Sequence, residues 1–212
     1  MKYAVLDVET TGLFDFSKPA DADGQPRLCA LTILPCSDTF EPNDEPEYSV
    51  LVKPDGWEVS PDITAINGLT TERCEAEGVP LADVLAEYSR IVADGYVIVA
   101  YNAQFDTKVM RGELRRAGLP DLFETTPNIC AMRSCQPLSI EKAGAKKGGM
   151  PKLSDAYRHF FHSEPPAQHT SRADALSCMA IARELLKIGA LKAPDVHYAK
   201  NRPEPATKEQ TA

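Results

Sequence analysis

The chain has 212 residues, 43% of them hydrophobic and 25% charged, with a formal net charge of −8. That length suits one ordinary domain with a substantial core, and the composition excludes collagen, coiled coil and global disorder. The negative balance argues against a broad basic groove tracking duplex DNA, yet it is compatible with acidic residues that hold divalent cations.

Lys2 to Asp7 is a β-branched and aromatic run broken by Thr10-Thr11-Gly12, which predicts a strand ending in a turn. Asp15 to Arg27 holds two Pro, a Gly and three Asp, and reads as a long loop, a candidate mobile flap near the end of that strand. Strands follow near 28–34 and 47–53, with Pro35 to Pro46 as the tip of an antiparallel pair, so that the first three strands form a meander. Ser60-Pro61-Asp62 opens a short helix carrying Ile63, Ile66 and Leu69 at helical spacing. Pro80 to Ala93 sets Leu81, Val84, Leu85, Tyr88, Ile91 and Val92 on one stripe, stopped by Asp94-Gly95.

The continuous apolar run Tyr96 to Tyr101 predicts a fully buried, central strand. After it come a helix over about 105–117, a short strand near 128–133, a Gly- and Lys-rich loop over 142–152, and helices near 153–161 and 171–189. Beyond Ala193 the sequence is polar and rich in Pro, Lys and Glu, so the expected organisation is a domain over 1–192 and a flexible tail over 193–212. Strands first, then alternating helix and strand, predict an α/β fold: a mixed sheet covered by helices on both faces, antiparallel at one edge.

The longest apolar runs fall far short of the ~20 residues of a membrane span. Met1 to Asp7 reach a carboxylate before any signal-like core forms, so a cytoplasmic protein with no membrane partner is expected. Six scattered cysteines lack C-x-x-C or zinc-finger spacing and read as reduced structural thiols.

Chemistry concentrates on five residues. Asp7 and Glu9, two apart at a strand end, share one face of the sheet. At an interior strand they would need compensation, most simply by divalent cations; the alternative is a pair of exposed acids. Asp106 follows the buried strand at its carboxyl end, where open α/β sheets place ligands; the alternative is an acid in the first turn of a helix. His169 and Asp174 precede or open the last long helix, where Ser171 to Asp174 also matches capping-box spacing. Asp174 is then either a cap or a metal ligand facing the sheet, and His169 either a surface imidazole or a general base.

Taken in order, Asp7-Val-Glu9-Thr10-Thr11-Gly12, Asn102-Ala-Gln-Phe105-Asp106 and His169 followed by Asp174 resemble the DEDDh exonucleases, the family of the bacterial polymerase III proofreading subunit and RNase T. The resemblance covers roughly residues 2–190, and Ala65-Ile66-Asn67-Gly68-Leu69 is similar to a segment that often reads I-H-G-I/L-T in relatives. Asn67 and Tyr101 stand where relatives often carry His, and the 15–27 loop is longer than the family needs.

The resemblance implies an RNase H-like mixed five-stranded sheet and two Mg²⁺ or Mn²⁺ ions about 4 Å apart. Asp7 would bridge both, Glu9 and Asp174 would complete one site, and Asp106 would hold the other chiefly through water. Such hard oxygen ligands suit these ions better than zinc. His169 would be the general base. Thr10, Thr11 and Gly12 would meet the strand terminus, Asn102 and Phe105 are further substrate contacts, and Ile66, Asn67 and Leu69 would wedge or stack the last bases, with ordinary core packing as their alternative, for Ile66 above all. Lys142, Lys146, Lys147 and Lys152 form either a basic lip or a solvated loop.

The implied function is metal-dependent 3′–5′ exonucleolysis of single-stranded nucleic acid, DNA favoured, releasing nucleoside 5′-monophosphates. The alternatives are a ribonuclease trimming RNA 3′ ends and a catalytically silent nucleic-acid or protein binding module. Expected partners are single-stranded DNA or RNA 3′ ends, with a polymerase or replication partner docked through the tail.

Overall fold

The computed structural model describes residues 1–122, 125–142, 150–167 and 169–196. Strand β1 (Tyr3–Thr10) runs past Asp7, so both acids of the first motif lie within it. Its side chains alternate: Ala4, Leu6 and Val8 enter one core, Tyr3 and Val5 the other, and the pleat puts Asp7 and Glu9 on the second face. Strand β2 (Leu28–Cys36) is buried throughout, and β3 (Tyr48–Leu51) is a half-exposed edge. With β4 (Val97–Ala100) and β5 (Asn128–Cys130) the sheet runs in the order β3-β2-β1-β4-β5. The first three strands are an antiparallel meander, and β4 and β5 join in parallel, giving the expected mixed five-stranded sheet.

Helices α1 (Pro61–Asn67) and α2 (Thr71–Glu77) precede α3 (Leu81–Ala93) and α4 (Ala103–Arg116); α5 (Ala131–Ser134), α6 (Leu153–Phe161) and α7 (Ser171–Lys187) follow. Val84, Leu85, Tyr88 and Ile91 of α3 pack with Val109, Met110 and Leu114 of α4 on one face. Ala156 of α6 and Cys178, Ile181 and Leu185 of α7 cover the other. A third, small core of Cys29, Ala30, Val59, Leu69 and Cys74 seats α1 and α2 over β2.

Several elements depart from expectation for identifiable reasons. The central strand is β1, with β4 beside it; a continuous apolar run reports burial on both faces, which every interior strand of a covered sheet shares. The stretch 128–133 splits into three residues of strand and one helical turn. Helix α2 escapes a search for apolar stripes because Cys74 is its one buried residue; it is started by Thr70, whose side chain accepts from the Arg73 amide. Ser60 caps α1 as expected, but Gly68, left-handed at φ 71°, ends that helix, so Leu69 enters the core from outside it while Ile66 points to solvent.

The 15–27 loop is not a loose flap. Buried Gln25 donates to the carbonyls of Asp15 and Pro19 and accepts from the Asp15 amide. Buried Glu113 of α4 holds the loop's end through Arg27 Nε at 2.9 Å and the Leu28 amide at 3.0 Å. All six cysteines are free and buried. Residues 143–149, with Lys146 and Lys147, and residues 197–212 of the expected tail lie outside the described residues; Asp195, earlier in that stretch, bridges Asn128 of β5.

Candidate active site

Strand β1 pairs with β4 only over Tyr3–Val5, so its last five residues outrun their parallel neighbour. The first turn of α4 fills that step: Asp106 is buried there, and the backbone amide of Val8 acts on its carboxylate. On the other side stands the first turn of α7, with Asp174. One carboxylate oxygen each from Asp7, Glu9 and Asp174 lie within 4.8 Å of one another. Two elements distant in sequence thus converge on the end of β1.

Electrostatics mark the cluster as strained without a cation. Burial first, then Asp106, Asp174 and Glu9, push the Asp7 carboxyl well above its usual range. Glu9 rises to about 7, through burial and then Asp174, with Asn67 opposing. Asp106 also rises to about 7, mainly through burial, although its own amide and that of Val8 hold it down. Asp174 is raised by burial and eased by His169. Four carboxylates that desolvate and repel one another, offering only hard oxygen donors, fit a divalent cation.

The N-cap role falls to another residue, while the Asp174 carboxylate takes a backbone hydrogen bond from His169 just before the helix. Thr170, not Ser171, is the N-cap of α7 and accepts from the Ala173 amide. Ser171 is buried instead, its hydroxyl 2.9 Å from that of Thr32, which lies 2.8 Å from Ser49. This row of hydroxyls ties the helix start to β2 and β3. Thr32 pairs across the sheet with Asp7 and is the one hydroxyl in an otherwise apolar nine-residue strand, a signal the sequence offers but does not explain. His169 is exposed beside Asp174, in left-handed conformation at φ 62°, a backbone state that non-glycine residues hold only under local constraint.

The other expected contacts divide. Thr10 is buried and its hydroxyl donates to the Gly12 carbonyl at 2.7 Å. Thr11 exchanges backbone and side-chain bonds with Arg27. Asn67, expected against substrate, is buried and turned inward: its Oδ1 accepts from the Leu69 amide at 3.0 Å, which leaves its Nδ2 facing Glu9 Oε2 at 3.4 Å. Ile66 is 59% exposed, so its core-packing alternative is overturned. Asn102 is exposed at the N-cap of α4 without a side-chain cap bond, and Phe105 is half-buried against Phe14. Beside Glu9 and Asn67 a cleft of about 360 Å³ runs along β3 to Thr170 and Arg172.

The family model described as Exonuclease, RNase T, matches residues 4–182, a span that contains all three motifs. The chain belongs to the RNase T family of DEDD-type 3′–5′ exonucleases. That family is divalent-metal dependent, in keeping with the carboxylate cluster. Among curated relatives, a PolC-type DNA polymerase III of Streptococcus suis (strain 98HAH33) is 34% identical over 118 residues, 56% of this chain and 7% of that protein. The Lactococcus lactis subsp. lactis (strain IL1403) PolC-type polymerase is 29% identical over 156 residues, 74% of this chain and 8% of that protein.

Among solved structures, E. coli exonuclease I in complex with a dT13 oligonucleotide superposes with a TM-score of 0.69 at 22% identity, covering 87% of this chain and 40% of that one. A zinc-ion-bound form of the E. coli exonuclease I–ssDNA complex gives a TM-score of 0.69 at 21% identity, covering 88% and 40%. The fold is therefore RNase H-like, as the motifs implied. The chain spans less than a tenth of these polymerases and two-fifths of exonuclease I. Among the described residues, no helix is long and apolar enough to cross a membrane.

Proposed function

We propose that this chain is a metal-dependent 3′–5′ exonuclease that hydrolyses single-stranded nucleic acid, DNA by preference, to nucleoside 5′-monophosphates. The observation that carries the reading is the convergence of Asp7, Glu9 and Asp174 within 4.8 Å, with Asp106 pressed against the same strand end. Family membership supports the chemistry, and the oligonucleotide complexes of exonuclease I support single-stranded DNA as substrate.

In this reading Asp7, Glu9, Asp106 and Asp174 hold two Mg²⁺ or Mn²⁺ ions, which when bound supply charge neutralisation for the phosphate and the departing 3′ oxygen. The residues' own tasks follow from their places. Asp7, at the centre of the sheet, would help hold the ions together with Glu9 and Asp174 from one side and Asp106 from the other. Asn67 keeps one Glu9 oxygen aimed at the cluster rather than touching substrate. Exposed His169, beside Asp174, takes the proton from the attacking water. Thr10, Thr11 and Gly12 form the wall that meets the terminal sugar, while Ile66, Asn102 and Phe105 flank the entering strand. The wall at the β1 turn restricts cleavage to the chain end.

The reading carries with it a cytoplasmic setting, supported by six free thiols, and a replication partner in trans, supported by the polymerase relatives.

Its test is digestion of matched 5′-labelled DNA and RNA single strands with Mg²⁺, with Mn²⁺ and with EDTA. A ladder shortening from the 3′ end in either metal and frozen by EDTA is expected, faster on DNA. A faster RNA ladder would move the assignment to RNA trimming, and intact strands in every condition would turn it to the silent binding module.

A further inference from the structure

The loop after β1 carries a feature that the chemistry above does not use. Leu13 and Phe16 are 88% and 51% exposed, although the loop that bears them is fastened to α4. Phe16 ends a row of rings that starts beside the carboxylates. Phe105, the neighbour of Asp106, meets Phe14 edge-on at 5.8 Å, and Phe14 meets Phe16 at 6.2 Å. The Lys108 ammonium lies 4.7 Å from the Phe16 ring centre.

Next to this ring is a hollow of about 240 Å³ lined by Lys18, Lys108, Arg111 and Arg115, with no carboxylate among its described lining residues. Around its rim Lys18 pairs with Asp15, Arg111 and Arg115 share Asp121, and Arg115 also reaches Asp21. Among the described residues Lys108 pairs with no carboxylate; its ammonium reaches the backbone carbonyls of Asp15 and Lys18 and keeps a donor to spare. In a chain of net charge −8, Lys108 is thus a cation without an acid partner among the described residues, set beside an exposed ring. In the cleft on the other side of the site, by contrast, Arg73 and Arg172 are matched by Glu77 and Glu47.

We propose that Phe16 and the cations beside it form a second contact for single-stranded nucleic acid, gripping the strand upstream of the 3′ end held at the carboxylates. The inference rests on the exonuclease reading for its substrate. A solvent-facing ring on a fixed loop is a stacking platform that accepts any base, and Lys18 and Lys108 are placed to meet the flanking phosphates. Through Phe105 and the buried Phe14 ring, Phe16 is anchored close to the strand end that bears the carboxylates. Two consequences follow: affinity grows with strand length, and that growth is sensitive to salt.

The test uses the full chain and a fluorescein-labelled oligothymidylate, with binding followed by anisotropy in EDTA, where nothing is cut. Phe16→Ala is expected to weaken binding by about tenfold, the loss of one base stack, while Phe16→Tyr, which keeps the ring, binds within about twofold of wild type. With Mg²⁺ added, the gain in kcat/KM from a dinucleotide to the longer strand shrinks in Phe16→Ala by a similar factor. Equal affinity of wild type and Phe16→Ala in EDTA overturns the proposal, even if the wild-type protein cuts the strand. If the wild type binds, loses affinity with Phe16→Ala and yet cuts nothing in any metal, the patch stands and the exonuclease reading falls.

Discussion

At the scale of single residues, the candidate site is an assembly of side chains whose neighbours fix their roles. Asn67 illustrates this: the Leu69 amide occupies its carbonyl oxygen, so its amide nitrogen is the group left to face Glu9. His169 is a different case, an exposed imidazole in a constrained backbone state beside Asp174. Its replacement by Ala should lower kcat by ~10² or more, the scale of a general base, with divalent-ion binding kept within a few-fold of wild type. Loss of metal binding in parallel with kcat would make His169 a ligand instead. The acids were legible in sequence because a strand period of 2 and three ordered motifs constrain them. The direction in which Asn67 points was not, since it depends on a left-handed Gly68 that bends the chain back after α1.

At the scale of elements, the site exists because β1 outruns β4, leaving a strand end that α4 and α7 close from two sides. The helices with strong apolar stripes, α3 above all, were readable from spacing, and so were the strands that surround β1. Helix α2 was not, because it buries one residue, and the 15–27 loop was misread as free because its anchors, Gln25 and Glu113, are polar residues far apart in sequence.

Gly112 tests that anchoring. A Cβ built there would sit 2.5 Å from the Ala20 carbonyl oxygen, so the loop packs where no other residue leaves room. In an ordinary helix Gly→Ala stabilises by about 1 kcal/mol. Here Gly112→Ala should instead lower the melting temperature and speed proteolysis within 15–27. A rise in melting temperature would show that the loop does not need this approach.

At the scale of the whole molecule, the carboxylate cluster sets a conflict between stability and function. Asp7, Glu9, Asp106 and Asp174 all bind their protons more tightly in the folded chain than in an unfolded one, Glu9 and Asp106 up to about 7. Between the ordinary carboxylate range near ~4 and about 7, the metal-free folded state therefore holds more protons than the unfolded state, and stability falls as pH rises. Below that window both states are protonated and the penalty vanishes. The melting temperature of the metal-free protein should drop by ~5 °C or more across the window, and Mn²⁺ or Mg²⁺ should restore most of the loss at the upper end, because the ion binds the charged form. A melting temperature that rises over the same window without metal would contradict this picture.

The roles of these carboxylates all depend on their binding metal, so the most direct measurement is a Mn²⁺ titration followed by electron paramagnetic resonance at pH 7.5, wild type beside Asp7→Asn. Wild-type protein should take up Mn²⁺, while Asp7→Asn, with its far-ultraviolet circular dichroism unchanged, should bind at least ~10-fold more weakly through loss of the carboxylate at the centre of the cluster. Equal uptake by the two proteins would mean that the cluster at the end of β1 is not the metal centre.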